Sequence, residues 1–265
     1  MSDAAGMNHW IDPNGIIHVV FDRRDDKVNL LTSDLLSDLG ELLDSIRGRD
    51  DVRGLLFKSA KAGNFIAGMD IEVIASFTDA FKAAEGARFG QIVFQKIAEL
   101  PVPSACAING VCFGGGTELA LACTVRVAAD SKAVKIGLPE TQLGIIPGFG
   151  GTQRLPRLVG LVPSLDLILS GRTLDAKRAQ RMGLVDLVVP EAYLEREAIK
   201  LMLKAAAGLK RHRSSTARLV EITPLLRRFV LGKARKATEA KANPENYPAP
   251  FRALEAIEAA FSMPI

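Results

Sequence analysis

Short runs of β-branched and apolar residues alternate with leucine-rich stretches along this chain, and that alternation limits its fold more than any other feature. Residues 15–21 and 52–57 have the composition of β-strands. Between them, the leucines of residues 33–43 recur at helical spacing, with Thr32 or Ser33 as the candidate N-cap. Strands that alternate with helices in this way predict an α/β architecture connected by right-handed crossovers.

The same alternation continues through the middle of the chain. Residues 103–108 and 125–129 are apolar runs that predict two further strands. Residues 77–99 predict a long helix that ends before a proline, and residues 117–123 predict a short helix that follows a run of glycines. The α/β pattern therefore extends well beyond the first hundred residues.

The last part of the chain differs in both pattern and charge. After about residue 165 the pattern is mostly helical, with residues 185–189 as the main exception. Residues 201–265 carry 12 Lys and Arg against 5 Asp and Glu, and apolar positions recur at helical spacing over residues 213–260. We therefore divide the chain into an α/β core, residues 1–200, and a helical C-terminal region that either covers the core or links it to a further domain.

Composition and cysteine usage indicate a folded intracellular protein. Apolar residues make up 48% of the chain and charged residues 24%, which is typical of globular proteins and not of disordered ones. No run approaches the ~20 apolar residues of a membrane span, and the first fifteen residues lack the apolar region of a signal peptide. Three cysteines without CxxC spacing favour neither disulfides nor a thiolate metal site. We expect a cytoplasmic protein, and the 6% aromatic content argues against nucleic-acid binding.

Several common catalytic motifs do not occur in the sequence. There is no GxSxG elbow and no GxxxxGK[ST] phosphate loop. The glycine-rich residues 148–153 carry glutamine where the GxGxxG pattern has its third glycine. Serine-nucleophile, nicotinamide and ATP chemistry are therefore poor candidates, which leaves carboxylates as the groups to consider.

Two glutamates stand in unusual settings. Glu118 lies in the first turn of an apolar helix, two residues after a run of three glycines. Burial there would raise its pKa into the range that suits acid–base catalysis. Glu140 precedes residues 145–151, a loop dense enough in glycine and proline to wrap closely around a ligand. The alternative is that Glu118 caps its own helix and Glu140 is a surface loop residue.

A third segment, residues 63–71, could supply hydrogen-bond donors. Small residues at Ala67 and Gly68 let a ligand approach the backbone, which leaves the N–H of Met69 available. Together with the N–H of Gly115 it would form an oxyanion hole. The alternative is an ordinary turn between a strand and a helix.

Four segments of the chain, in this order and spacing, resemble the crotonase, or enoyl-CoA hydratase/isomerase, superfamily. They are residues 64–71 (NFIAGMDI), 109–122 (NGVCFGGGTELALA), 138–156 (LPETQLGIIPGFGGTQRLP) and 183–186 (GLVD). The resemblance spans roughly residues 12–200. It implies the crotonase (ClpP-like) fold, in which repeated ββα units are followed by a C-terminal helical region.

The resemblance also implies a reaction and a set of site residues. Met69 and Gly115 correspond to the oxyanion-hole donors that hold the thioester carbonyl oxygen, and Glu118 and Glu140 to the two acid–base glutamates. A chain with both glutamates is expected to hydrate trans-2-enoyl-CoA to 3-hydroxyacyl-CoA in fatty-acid β-oxidation, with Δ3-Δ2-enoyl-CoA isomerase activity as a second expectation. CoA is part of the substrate, and no metal or other cofactor is expected. The expected substrate-binding residues are Ala67, Gly68, Asp70, Gly114, Pro147 and Gly148.

The C-terminal sequence departs from the acidic helix that ends many stand-alone crotonases. Residues 246–260 are instead similar to the stretch after the N-terminal hydratase domain in alpha subunits of multifunctional fatty-acid oxidation complexes. The expected partners are therefore copies of itself or the other parts of such a complex. The alternative function is a catalytically idle acyl-CoA-binding or assembly domain, because Met69 is bulkier than the alanine often found at its position.

Overall fold

Two β-sheets form the framework of the computed structural model, which describes residues 6–24, 26–208 and 223–261. The larger sheet has six strands, in the order β1 (Met7–Ile11), β2 (Ile16–Phe21), β3 (Gly54–Ser59), β5 (Ser104–Ile108), β7 (Val125–Ala129) and β10 (Leu187–Val189). The smaller sheet has four, in the order β4 (Asn64–Ile66), β6 (Val111–Phe113), β8 (Lys135–Gly137) and β9 (Thr173–Leu174). Neighbouring strands are parallel except for β1 with β2 and β8 with β9.

Ten α-helices lie within the described residues. They are α1 (Ser33–Ile46), α2 (Ile71–Ala75), α3 (Ala80–Ala98), α4 (Gly115–Ala122), α5 (Gly151–Val159), α6 (Leu161–Ser170), α7 (Ala176–Met182), α8 (Leu194–Ala206), α9 (Pro224–Glu239) and α10 (Ala249–Ala259). Two 3-10 turns, Glu140–Leu143 and Glu191–Tyr193, precede α5 and α8. None of the helices in these residues is long and apolar enough to cross a membrane.

The chain builds both sheets from the same repeated unit. β3, β5 and β7 each run through the larger sheet and are followed by β4, β6 and β8 in the smaller one. A helical segment completes each unit. It is α2 with α3 in the first unit, α4 in the second, and the 3-10 turn Glu140–Leu143 with α5 in the third. The predicted α/β architecture is confirmed, and three consecutive ββα units account for most of it.

The predicted bounds of helices and strands are most accurate where the sequence pattern is long or where a capping residue marks the start of a helix. β7 has the predicted bounds, and the hydroxyl of Thr32 caps α1 by accepting from the N–H of Leu35 at 3.2 Å. The helix predicted over residues 77–99 begins three residues later, because the side chain of Asp79 caps it by accepting from the N–H of Lys82 at 2.9 Å. The three-residue strands of the smaller sheet went unpredicted, since so short a run shows no alternation.

The helical C-terminal region packs against the core in the part that the structure describes. α8 crosses the predicted boundary at residue 200 and packs on β3, β5 and β7. α10 packs on α5 and α6 and buries Phe251, Leu254 and Ile257. The stretch 209–222, which holds the start of the predicted amphipathic region, lies outside the described residues.

Candidate active site

One cleft of about 1670 Å³ collects every residue that the sequence singled out for the site. The segments after β4 and β6, the face of α3, the loop before α5 and the start of α10 form its walls. The ten residues in its wall are Ala67, Gly68, Met69, Asp70, Gly114, Gly115, Glu118, Glu140, Pro147 and Gly148. Their roles stay predictions, but the structure brings all ten together.

The two expected backbone donors lie at the cleft without a partner. The chain beside Met69 is held by bonds from the N–H of Leu31 to the carbonyl of Gly68 (2.8 Å) and from the N–H of Asp70 back to Leu31 (3.0 Å), which leave the N–H of Met69 unused. Gly115 is the first residue of α4, where backbone N–H groups have no acceptor within the helix. Neither N–H donates to another group in the described part of the chain.

Glu118 is 2% exposed and is fixed by the loop before α5. Its Oε1 accepts hydrogen bonds from the N–H of Phe149 at 2.8 Å and from that of Gly151 at 2.7 Å. A Cβ atom at position 151 would lie 3.0 Å from the same oxygen, so the glycine permits this approach. The alternative that Glu118 caps its own helix is wrong, because its side chain binds a different segment and α4 has no side-chain cap.

Glu140 starts the 3-10 turn Glu140–Leu143 and is only 8% exposed. Its Oε2 atom is buried and has no hydrogen-bond partner among the described residues. A Cβ atom at position 114 would lie 2.9 Å from its Oε1, so Gly114 lets this carboxyl approach the start of α4. The alternative that Glu140 is a surface loop residue is therefore wrong.

Burial raises the pKa of both carboxyls, but the interactions that oppose or add to this effect differ between the two. Desolvation raises the pKa of Glu118 to about 7, against the opposing effects of the Gly151 and Phe149 N–H groups and the charge of Arg154. Desolvation together with the negative charge of Glu118 raises the pKa of Glu140 to about 8. Glu118 is stabilised as a carboxylate by two N–H groups of another segment and by a cation, whereas Glu140 is stabilised only by its own backbone N–H. This asymmetry suits Glu118 as a base and Glu140 as an acid.

Other contacts at the cleft had no counterpart in the sequence interpretation. The Tyr247 hydroxyl donates to the carbonyl of Thr141 in the turn that begins at Glu140. Gln153 of α5 donates to the carbonyl of Ala256 in α10 at 2.7 Å. These contacts join segments about a hundred residues apart, so no local pattern could have indicated them.

Asp70 has structural tasks in addition to its place in the wall. One oxygen caps α2 by accepting from the N–H of Glu72 at 3.0 Å, and the other pairs with Arg23 at 3.2 Å. Both carboxylate oxygens therefore already have partners. Its expected contact with substrate stays a prediction.

The raised pKa values predict how stability depends on pH. Each carboxyl binds its proton more tightly when folded than when unfolded, so its stabilisation is fully present below pH ~4.5 and is lost as pH rises through the folded pKa. Between about pH 4.5 and 7 the free energy of unfolding should fall by about 1.4 kcal/mol per pH unit for each such carboxyl. Urea unfolding at several pH values measures this slope.

Glutamine variants isolate the two contributions to that slope. Glu118→Gln and Glu140→Gln should each flatten it, because the amide does not titrate. Glu41→Gln, which changes an exposed glutamate of α1 outside the cleft, is the matched control and should leave the slope unchanged. Equal slopes in all four proteins would contradict the raised pKa values.

Comparison with known proteins agrees with this geometry. The profile of the family "Enoyl-CoA hydratase/isomerase" matches residues 12–223, which is most of the chain and includes the whole cleft apart from the lining residues between 248 and 256. The chain belongs to the enoyl-CoA hydratase/isomerase family. The predicted resemblance to the crotonase superfamily and its fold is thereby confirmed.

Individual members of this family resemble the chain over nearly all of its length. The fatty acid oxidation complex subunit alpha of Vibrio campbellii is 41% identical over 97% of this chain, and that of Aliivibrio fischeri is 43% identical over 93%. The chain covers 36% of each of these relatives, or about a third of their length. The crystal structure of an enoyl-CoA hydratase from Bacillus anthracis has a TM-score of 0.70 and 31% identity, with 97% of this chain and 90% of that one covered.

Proposed function

We propose that this protein hydrates trans-2-enoyl-CoA thioesters to 3-hydroxyacyl-CoA in fatty-acid β-oxidation. The observation that carries the proposal is a pair of buried carboxyls with raised pKa values, Glu118 and Glu140, in one cleft with two unused backbone N–H groups. Hydration needs a base for water, an acid for carbon and donors for the thioester oxygen. The cleft holds a candidate for each.

The backbone donors would activate the substrate. The N–H groups of Met69 and Gly115 donate to the thioester carbonyl oxygen and draw electron density from the conjugated double bond, which makes the β-carbon electrophilic. Negative charge accumulates on the same oxygen as water adds, so these hydrogen bonds strengthen in the transition state. Donors preset in this way contribute to the rate because they need no reorganisation during the reaction.

The two glutamates would then divide the proton transfers. The carboxylate of Glu118 accepts a proton from water as the water oxygen bonds to the β-carbon. The protonated carboxyl of Glu140 delivers its proton to the α-carbon, which completes the addition of H and OH across the double bond. Each group needs a pKa near the working pH for this exchange, and burial supplies it.

The same groups support isomerisation as a second activity. Removing a proton from the α-carbon of a 3-enoyl-CoA and returning it to the γ-carbon needs one carboxyl and the same oxyanion hole. We assign this transfer to Glu140, because one of its carboxyl oxygens lies at the cleft without a partner in the described chain. The chemistry calls for no metal or redox cofactor, and CoA enters only as part of the substrate.

The alternative of an idle binding domain rested on the bulk of Met69. Its side chain is half-buried and packs against the hydrophobic core, so part of its volume lies outside the cleft. Only its N–H is required by the proposed chemistry. This placement favours the enzyme over the idle domain.

The relatives' names support a proposal about assembly. Because the relatives are alpha subunits of fatty acid oxidation complexes, we propose that this chain acts as the hydratase part of such an assembly or as a homo-oligomer. We also propose a cytoplasmic location, as expected from the sequence. The relatives are about three times longer, so their other activities are not assigned to it.

Loss of the ultraviolet absorbance of crotonyl-CoA tests the proposal directly. A hydratase removes the conjugated double bond, and the absorbance falls until hydration reaches equilibrium. Binding of crotonyl-CoA without any loss of absorbance would support the idle domain instead. The appearance of that absorbance from 3-enoyl-CoA would establish the isomerase activity.

A further inference from the structure

Arg154 is a buried cation that the proposed reaction does not use directly. It lies on α5 and is 7% exposed. Its Nη1 donates to the carbonyl of Phe149 at 3.0 Å, and its Nη2 donates to Oε1 of Gln95 on α3 at 2.7 Å. Both partners are neutral. A buried cation is costly unless another charge compensates it.

The compensating charge comes from the catalytic cleft. Glu118 is the carboxylate whose negative charge stabilises the guanidinium, and Arg154 in turn stabilises the carboxylate of Glu118. Arg157, one turn further along α5, opposes the cation as a like charge, and the Cys123 thiol is the remaining titratable group that acts on it. Glu140 is the other carboxyl that interacts with Glu118, since the negative charge of Glu118 raises the pKa of Glu140.

Arg154 is also joined to Glu118 through a single residue. The carbonyl of Phe149 accepts from Arg154, while the N–H of Phe149 donates to Glu118 at 2.8 Å. The Phe149 ring fits against Gly90 of α3, where a Cβ atom would lie 2.4 Å from the ring, and makes an edge contact with Phe94. A shift of the guanidinium therefore moves the donor that holds Glu118.

The turn at Gly150, between Phe149 and Gly151, leaves room for the guanidinium of Arg154. Gly150 has φ +109°, and a Cβ atom there would lie 2.1 Å from Nη1 of Arg154. Only glycine combines this backbone conformation with that approach. The loop, α3 and α5 are thus tied together around one cation.

We propose that Arg154 is a positioning residue that holds the Phe149–Gly151 turn on Glu118 and keeps Glu118 ionised beside a protonated Glu140. It thereby favours Glu118 over Glu140 as the base. This inference rests on the proposed hydration, because only a reaction with separate acid and base steps needs one glutamate ionised and the other protonated.

Three variants test the proposal. Arg154→Met removes both the charge and the hydrogen bonds at similar length, and Arg154→Lys keeps the charge. Arg157→Met removes an equal charge from the same helix outside the cleft wall and is the matched control. The readout is the pH profile of kcat/KM for crotonyl-CoA hydration, with thermal unfolding to show that each variant is folded.

We expect the acid limb of the profile to move up by about one pH unit in Arg154→Met, with about a fivefold loss of rate at pH ~7, because less Glu118 is ionised. Arg154→Lys should return the limb towards that of the wild type, and Arg157→Met should leave it in place. A merely structural role would lower the rate at every pH without moving the limb. An unmoved limb in Arg154→Met would overturn the proposal.

A direct titration separates this proposal from the proposed function. The carbon-13 NMR shift of the Glu118 carboxyl, assigned by its loss in Glu118→Gln, reports ionisation without any turnover. Because Glu118 and Glu140 titrate as an interacting pair, the assigned signal is needed to follow one site. If the titration moves in Arg154→Met while the wild type hydrates nothing, the positioning role stands and the hydratase assignment falls. An active enzyme whose Glu118 titration does not respond to Arg154→Met would overturn the positioning role alone.

Discussion

Glu118→Gln should lower kcat for hydration by about 10²–10⁴-fold, the usual effect of losing a general base. Glutamine keeps the size of the side chain and an oxygen that can accept from the N–H groups of Phe149 and Gly151, so the loop should stay in place. What is lost is the ability to take a proton from water. The loss should therefore fall on kcat, with crotonyl-CoA affinity nearly unchanged.

Steady-state kinetics and equilibrium binding of crotonyl-CoA separate these two effects. Glu85→Gln, on the exposed side of α3 and outside the cleft wall, is the matched control and should turn over like the wild type. Hydration by Glu118→Gln within tenfold of the wild type would contradict the assignment of Glu118 as the base. A parallel loss of binding would point to a structural effect instead.

Glu140→Gln should lower kcat by a similar factor of about 10²–10⁴, because the amide has no acidic proton to deliver to the α-carbon. Its side chain has one buried oxygen without a partner in the described chain, so the substitution breaks no hydrogen bond of that atom. We therefore expect a folded variant that binds crotonyl-CoA and does not hydrate it.

Deuterium exchange distinguishes the two glutamates from each other. A saturated thioester such as butanoyl-CoA in D₂O can exchange its α-hydrogen through Glu140 and the oxyanion hole without any addition of water. Glu118→Gln should retain this exchange, whereas Glu140→Gln should lose it. The reverse pattern would mean that the acid and base assignments are interchanged.

Much of the local structure was predictable from short-range patterns. The leucine spacing of α1 with its Thr32 cap and the apolar run of β7 each contain enough information within a few residues to specify an element. The glycines before Glu118 marked the start of α4 in the same way. β1 escaped prediction because its sequence, with the exposed Trp10, resembles a polar tail, although it pairs antiparallel with the neighbouring β2.

The sequence alone determined which groups are available for chemistry. Two glutamates in glycine-rich surroundings, two small-residue turns with free N–H groups and the order of four motifs indicated the family and the candidate site before any fold was known. These are properties of residue type and spacing, which a linear chain already contains.

The tertiary structure decided what those groups can do. The pKa of each glutamate depends on burial, and burial depends on segments that meet only in the fold: the Phe149 and Gly151 N–H groups reach Glu118 from more than thirty residues away. Arg154 lies within the third motif, residues 138–156, but its charge matters because it is buried together with Glu118. Electrostatic energies depend on distance and on exclusion of water, and both of these are set by packing rather than by position along the chain.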